Sequence, residues 1–410
     1  MKKSLLALAA MGAFAGAAQA QSSVTVYGIL DTGVVSTKAD VSGGSQVTQS
    51  AVTGGGVAAT SRLGFRGRED LGGGKAAEFV LESALLNAST SASSSASPLF
   101  STSGTSGTRQ AFVALSDKDL GTASIGYQYT FTHTTALAGD PFGGLNLPGQ
   151  PLVAVTLTGI ANSAAVMNNA VAVQPGGTSS TTGATGSNSD YASRAQQIIY
   201  TLPTFSGLTA RVMYGLNGGA STDNANLTTP NYNNSAGAQL SYTAGKFGAT
   251  ASYITAMQAA SLYGVNAAAS ASNTRNVNNT RITANYDFGM LRAYATYGLD
   301  KIDNSSNTAN QAGKQNVKNQ NTQFAVLVPV ANNVNLRASY STGNYQLGTA
   351  LGGSGYGVSR NQNGMQIGAN YLLSKRTDLY AAYGQFTRQN TGATADNKDT
   401  GYAVGVRHTF

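Results

Sequence analysis

Alternation with a period of two runs through this chain, and one of its two parities carries arginine. Over 61–68, Leu63 and Phe65 fall on one parity while Arg62, Gly64, Arg66 and Arg68 fall on the other. Successive side chains of a strand point to opposite faces. The stretch therefore has an apolar face and a face bearing three guanidiniums, and arginine is too costly in hydrocarbon for both faces to be dry. The same grammar recurs along the chain. Val24, Val26 and Leu30 oppose Thr25, Tyr27 and Asp31; Phe79 and Leu81 oppose Glu78 and Glu82; Leu336, Ala338 and Tyr340 oppose Arg337; Tyr402, Val404, Val406 and Phe410 oppose Ala403, Gly405, Arg407 and Thr409.

Composition decides what the apolar face meets. Only 10% of the 410 residues are charged, where a soluble protein would carry about a quarter, so much of the surface is built for lipid. Residues 1–20 read as a secretory signal: Lys2 and Lys3 precede the apolar run from Leu5 to Ala18, and Ala18-Gln19-Ala20 forms a small-residue cleavage site. That run falls short of the roughly 20 residues a spanning helix needs, and no comparable run follows, so the mature chain 21–410 has no helical way to cross a bilayer. The absence of Cys excludes disulfides and Cys-based metal or redox chemistry. The surplus of +8 is spread along the chain and forms no basic patch, which excludes nucleic acid as a partner.

Short connections at 117–121, 203–207, 244–247, 287–290, 329–333 and 374–377 alternate with long ones rich in Asn, Ser, Thr and Gly. Short turns at one end and long loops at the other predict an all-β, antiparallel transmembrane barrel of about sixteen strands. Residues 131–190 interrupt the pattern. An interval this long inside a compact protein is usually functional, and a wide barrel has room for it as a constriction loop folded into the lumen. Within it, Ile160, Ala164, Met167 and Val171 recur at helical spacing over 159–173, which predicts a short helix there.

Particular segments carry a family likeness: Ser23-Val24-Thr25-Val26-Tyr27-Gly28, Ser61-Arg62-Leu63-Gly64-Phe65-Arg66-Gly67 with Glu69-Asp70-Leu71-Gly72-Gly73-Gly74, Arg109-Gln110-Ala111-Phe112-Val113-Ala114-Leu115, Leu373-Ser374-Lys375-Arg376-Thr377, and the ending Val404-Gly405-Val406-Arg407-His408-Thr409-Phe410. In this order and spacing the chain resembles the general trimeric porins of Gram-negative β-proteobacteria over its mature length. The resemblance implies a homotrimer in the outer membrane, in contact with its lipid, passing ions and small hydrophilic solutes. It further implies a third loop folded inward, of which Asp140-Pro141-Phe142-Gly143-Gly144 resembles the tip, and a terminal Phe410 read by the barrel assembly machinery. Two departures stand out: Gly126-Tyr127-Gln128 where the family often has Arg, and the long insert 152–187.

Arg62, Arg66 and Arg68 are the candidate lumen cations, and in a wet passage walled by low dielectric such a row concentrates anions. Asp140 is the candidate opposing carboxylate. The plainer alternative pairs these arginines with Glu78 or Glu82 on the neighbouring strand. Arg109, at the start of its strand, could approach the same constriction, but it shares the parity of Ala111 and Val113, which reads instead as a rim position. Gly72-Gly73-Gly74-Lys75 is a turn and lacks the rest of a phosphate-binding loop. The two histidines, His133 and His408, form no nucleophile–base pair, so both read as loop or interfacial groups. The reading is a non-enzymatic diffusion channel with a modest anion preference and no cofactor or metal. Its rivals are a porin selective for sugars or organic acids, and a barrel serving as adhesin or receptor.

Overall fold

The structure, a computed structural model, describes residues 23–41, 45–53, 55–85, 108–144, 147–149, 194–215, 234–259, 274–304, 317–347, 358–389 and 396–410. The signal segment 1–20, the insert 152–187 and the helix expected over 159–173 lie outside these residues.

Seventeen strands follow in order: β1 (Ser23–Val41), β2 (Ser45–Thr53), β3 (Arg62–Gly72), β4 (Lys75–Ala84), β5 (Thr108–Asp117), β6 (Gly121–Tyr129), β7 (Arg194–Thr201), β8 (Leu208–Gly215), β9 (Ser235–Ala244), β10 (Phe247–Ala259), β11 (Thr274–Asp287), β12 (Arg292–Asn304), β13 (Val317–Ala331), β14 (Val334–Leu347), β15 (Val358–Leu372), β16 (Thr377–Arg388) and β17 (Asn397–Thr409). One helix among the described residues, α1 (Phe131–Ala138), sits between β6 and β7. All strand pairings are antiparallel between neighbours, and β17 pairs back onto β1 from Ile29↔Thr409 to Lys38↔Thr400. The sheet thus closes into a ring, as a hydrocarbon setting requires.

The first wall position is shared. The lower half of β1 pairs with β3 in the register Val26↔Phe65, and its upper half pairs with β2 in the register Val35↔Ala51. β2 and β3 therefore occupy one place in the ring, and the seventeen strands among the described residues make a sixteen-position barrel.

Paired residues face the same side, so the register sorts inside from outside. Val24, Val26 and Leu30 of β1, Val113 and Leu115 of β5, Ile198 of β7 and Val404 of β17 form part of an exposed apolar outer face. The opposite parity holds Asp31, Gln239, Arg281, Asp300, Asn319 and Gln366, all buried. A soluble barrel would have the reverse arrangement.

Closure ends at the last residue. Phe410 N–H donates to Gly28 O and Gly28 N–H to Phe410 O, each at 3.1 Å. Gly28 is glycine because the Phe410 ring lies over it: a Cβ there would come within 2.3 Å of the ring. Deleting Phe410 removes both bonds and the ring contact, on the order of 3 kcal/mol together. Refolding into detergent, followed by heat-modifiable gel migration, should show a several-fold lower barrel yield, whereas Phe410→Leu should keep most of it. Equal yields from the truncated and full chains would contradict this account of closure.

Candidate functional site

Two breaks in the period-two pattern build the site. In β5, the pairing to β4 shifts register between Glu82↔Gln110 and Ser83↔Thr108, leaving Arg109 as an extra residue. A β-bulge of this kind re-aims a side chain. Arg109 accordingly turns onto Glu82, with Nε 2.6 Å from Oε1, and is only 5% exposed. The rim position expected from its parity is corrected: the bulge, invisible to a strict alternation count, carries it inward.

In β6, Gly126 adopts φ +136°, where a side chain would be strained and its Cβ would meet Ala111 O at 2.3 Å. A flat strand holds Cα atoms four residues apart at roughly 13 Å, yet Ser124 Oγ donates to Gln128 Oε1 at 2.8 Å. The strand bends sharply at Gly126. Beyond the bend Tyr129 becomes a hub. Arg109 Nη2 and Arg194 Nη2 both donate to its hydroxyl. The Arg194 and Arg109 guanidinium carbons lie 4.7 Å and 5.9 Å from its ring centroid, in cation–π range. The His133 ring stacks on the same phenol at 4.9 Å with planes 6° apart.

Glu82 is the carboxylate of this group. Besides Arg109 it receives the Tyr27 hydroxyl at 3.1 Å and lies 3.7 Å from Arg62 Nε. Two guanidiniums, Arg62 and Arg109, thus share one carboxylate, and a third, Arg194, meets Arg109 at Tyr129. Of the three, two are buried, with Arg109 Nη1 and Arg194 Nε lacking a hydrogen-bond partner. Arg62 keeps 26% of its side chain exposed, and exposed Arg66 lies over Tyr27 at 5.5 Å.

From this root the loop runs inside the barrel. Thr130 caps α1, its hydroxyl accepting from His133 N–H at 3.5 Å. Phe131 is fully buried among Ile199, Met213 and Ile254, apolar residues on the inward parity of β7, β8 and β10. Gln239 of β9 donates to Phe131 O, Thr134 Oγ1 and Thr135 Oγ1. Gly139 lies against Thr283 and Thr296 of β11 and β12. The chain then crosses to the far wall. Phe142 and Leu147 pack with Val35, Tyr380 and Ala403 of β1, β16 and β17, Gln366 of β15 donates to Leu147 O at 3.0 Å, and Ser341 of β14 donates to Gly149 O at 3.2 Å.

Residues 55–61 also fold inward and meet that tip, with Val57 and Ala58 in the same cluster. Buried Asp31 holds them: it accepts from Val57 N–H at 3.3 Å, Ala59 N–H at 2.6 Å and the Tyr380 hydroxyl at 2.6 Å.

The other sequence-named residues are dispersed. Arg68 pairs with Glu78 on the outlying part of β3 and β4. Asp140 is buried and caps its own turn, accepting from Phe142 N–H at 2.9 Å and Gly144 N–H at 2.6 Å. Its electrostatic neighbour is Arg337 of β14. His408 Nδ1 shares a hydrogen bond with Thr377 Oγ1 at 2.9 Å, away from the loop. Tyr129 and Arg194 were not singled out from the sequence. The positive-φ requirement at Gly126 was the local clue to the first, and Arg194 adjoins the interval 131–190 without a pattern to mark it. Among the described residues no group of three His, Asp or Glu is placed to hold a metal ion.

Known proteins share this architecture. The sequence model described as Gram-negative porin matches residues 7–392. An outer membrane porin protein of Bordetella pertussis aligns along the whole of both chains at 28% identity. Outer membrane porin protein 32 of Delftia acidovorans is 55% identical over 82 residues, which span 20% of this chain and 22% of that protein. The solved anion-selective porin from Comamonas acidovorans superimposes with a TM-score of 0.67 at 22% identity, covering 95% of this chain and 100% of the other.

The tip anchorage makes a separable prediction. Phe142→Ala empties a packed aromatic position, costing about 3 kcal/mol or more where the ring is buried, but it leaves the strand ladder intact. The barrel should still migrate as folded on unheated gels, while single-channel recordings show larger open-state current noise than the wild type. Unchanged noise would mean that Phe142 does not restrain the loop.

Proposed function

This chain belongs to the Gram-negative porin family, an outer-membrane barrel for passive passage of small solutes, and from that premise we propose that its constriction favours anions. One observation carries the proposal: Arg62 and Arg109 share the single carboxylate of Glu82, and Arg194 joins Arg109 at Tyr129. Glu82 compensates one positive charge of the three. The surplus lies in a wall of low dielectric, where a field reaches into the passage with little attenuation.

Arg62 is the member exposed enough to face solutes directly, with Arg66 beside it; Arg109 and Arg194 act from behind as fixed positive background. Two unit charges at about 4 Å in an effective dielectric near 20 interact by roughly 4 kcal/mol, and even a tenth of that changes relative permeability about twofold. The protein requires no catalytic group or cofactor for this role. The assembly expected is a homotrimer. The outer face of β1 and β3–β7 supports it, since Ala77 and Ala123 leave a groove between Val24, Val113 and Ile125 into which another barrel can settle. Export by the signal segment 1–20 and recognition of Phe410 by the assembly machinery belong to the same reading.

Reversal potentials in a salt gradient test the selectivity. Arg62→Glu should shift the potential toward cations by an amount that shrinks as salt rises and the Debye length shortens. Arg337→Glu, on the far wall near Asp140, should shift it less. Equal shifts would assign selectivity to total lumen charge, and no shift from either would overturn the placement of Arg62. Absence of conductance from the wild-type protein would overturn the channel itself.

A further inference from the structure

His133 occupies a place that suits a neutral ring and rejects a charged one. It is the third residue of α1, where the N–H groups of the helix start present partial positive charge. It is 8% exposed and stacked on Tyr129. The guanidiniums of Arg194 from β7 and Arg109 from β5 crowd the same phenol. The carboxylate of the group, Glu82 on β4, is already engaged by Arg109, Tyr27 and Arg62. On the other flank Arg211 of β8 lies over Phe131 at 4.9 Å, and what β9, β10 and β11 offer to α1 and its C-terminal end are the neutral Gln239, Ile254 and Thr283. The charged groups whose fields reach the imidazole are the cations Arg194 and Arg109, while Arg281 of β11 and Asp300 of β12 on the adjoining wall are paired with each other.

We propose, on the porin reading, that His133 is a proton-operated latch at the root of the constriction loop. Neutral, it stacks on Tyr129 and α1 docks on the inner wall. Protonated, it leaves the cationic pocket, and the first turn of α1 lifts away with it and alters the passage. Burial first, then the fields of Arg194 and Arg109, push His133 down to about 3 from its ordinary 6.5. The sign follows from that direction. An undocked loop binds the proton more readily than a docked one, so docking is intact above about pH 6.5 and weakens as pH falls toward 3. Over that interval each pH unit weakens docking about tenfold.

Hydrogen exchange on the purified, membrane-reconstituted protein reads docking directly. Protection factors for the amides of Phe131–Ala138, corrected for intrinsic rates, should fall more than about tenfold between pH 7 and pH 4 in the wild type, with more frequent current fluctuations over the same range. His133→Phe keeps an aromatic ring on Tyr129 without a titrating group, and His133→Gln removes the titration with a smaller side chain. Both should lose the acid-dependent part of the change, whereas His133→Lys should show low protection already at pH 7. An acid response in His133→Phe and His133→Gln equal to the wild type, or equal wild-type protection at the two pH values, would overturn the latch. A wild-type protein that conducts nothing at pH 7 would refute the channel reading, while the exchange data would still judge the latch.

Discussion

Hydrocarbon offers no partner to a backbone N–H or C=O, and a spanning sheet must therefore close on itself. Here closure runs through Ile29↔Thr409 and on to the paired main chains of Gly28 and Phe410. Once the ring is closed, register leaves little freedom. A slip of one residue in any strand would send an inward row such as Asp31, Arg407 and Asp378 into lipid and bring Val404 and Leu379 into the lumen. The charged interior is in this sense a consequence of the ladder, and the ladder tolerates it because each neighbouring pair of strands agrees on which side is wet.

That agreement explains what could be read from the residues alone. The sixteen-position ring, the outward Val24, Phe65, Val113 and Val404, and the inward Arg62 and Glu82 follow from a period of two, because each of these residues lies on a stretch that pairs in regular register. Arg109 could not be read the same way. Its parity belongs to the outer face, and the extra residue between Thr108 and Gln110 is a property of how β5 meets β4. Tyr129 and Arg194 stand on the same difficulty, since the bend at Gly126 redirects the strand end and the Cα pair Tyr129↔Arg194 goes with it. The helix Phe131–Ala138 was equally hidden: with Thr132, Thr134 and Thr135 among its eight residues it has little intrinsic helical tendency, and the wall through Gln239 and the pocket for Phe131 hold it in place. Irregularities concentrated at the root of the inward-folded segment that begins with α1 are what a functional site on a regular scaffold would be expected to show.

Burying the guanidiniums of Arg109 and Arg194 is costly unless their hydrogen bonds and charges are met. Tyr129 and Glu82 meet them in part. The phenol accepts from both arginines and presents its ring face to both, while Glu82 neutralises one charge. Neither substitute would do alone: a second carboxylate would complete the pairing but cancel the positive surplus, and an apolar residue in place of Tyr129 would leave two guanidiniums facing each other. The cluster is stable enough to exist and still positive.

A different balance applies at the far end of the loop. There Phe142, Leu147, Val57 and Ala58 form an apolar cluster inside a polar lumen, and Asp31 draws the segment 55–61 into it by accepting from Val57 N–H and Ala59 N–H. The two inward segments bury each other's apolar surface together with a small apolar patch of the wall, Val35, Tyr380 and Ala403. The barrel draws its stability from strand pairing, and the loop draws its own from a charged root and an apolar tip. Changes at either anchor can therefore alter the passage without unfolding the wall, provided that the ladder is untouched. Restraint at both ends also fixes the loop's path, so a change in charge at the root acts on a backbone already held at Gly139 and Phe142.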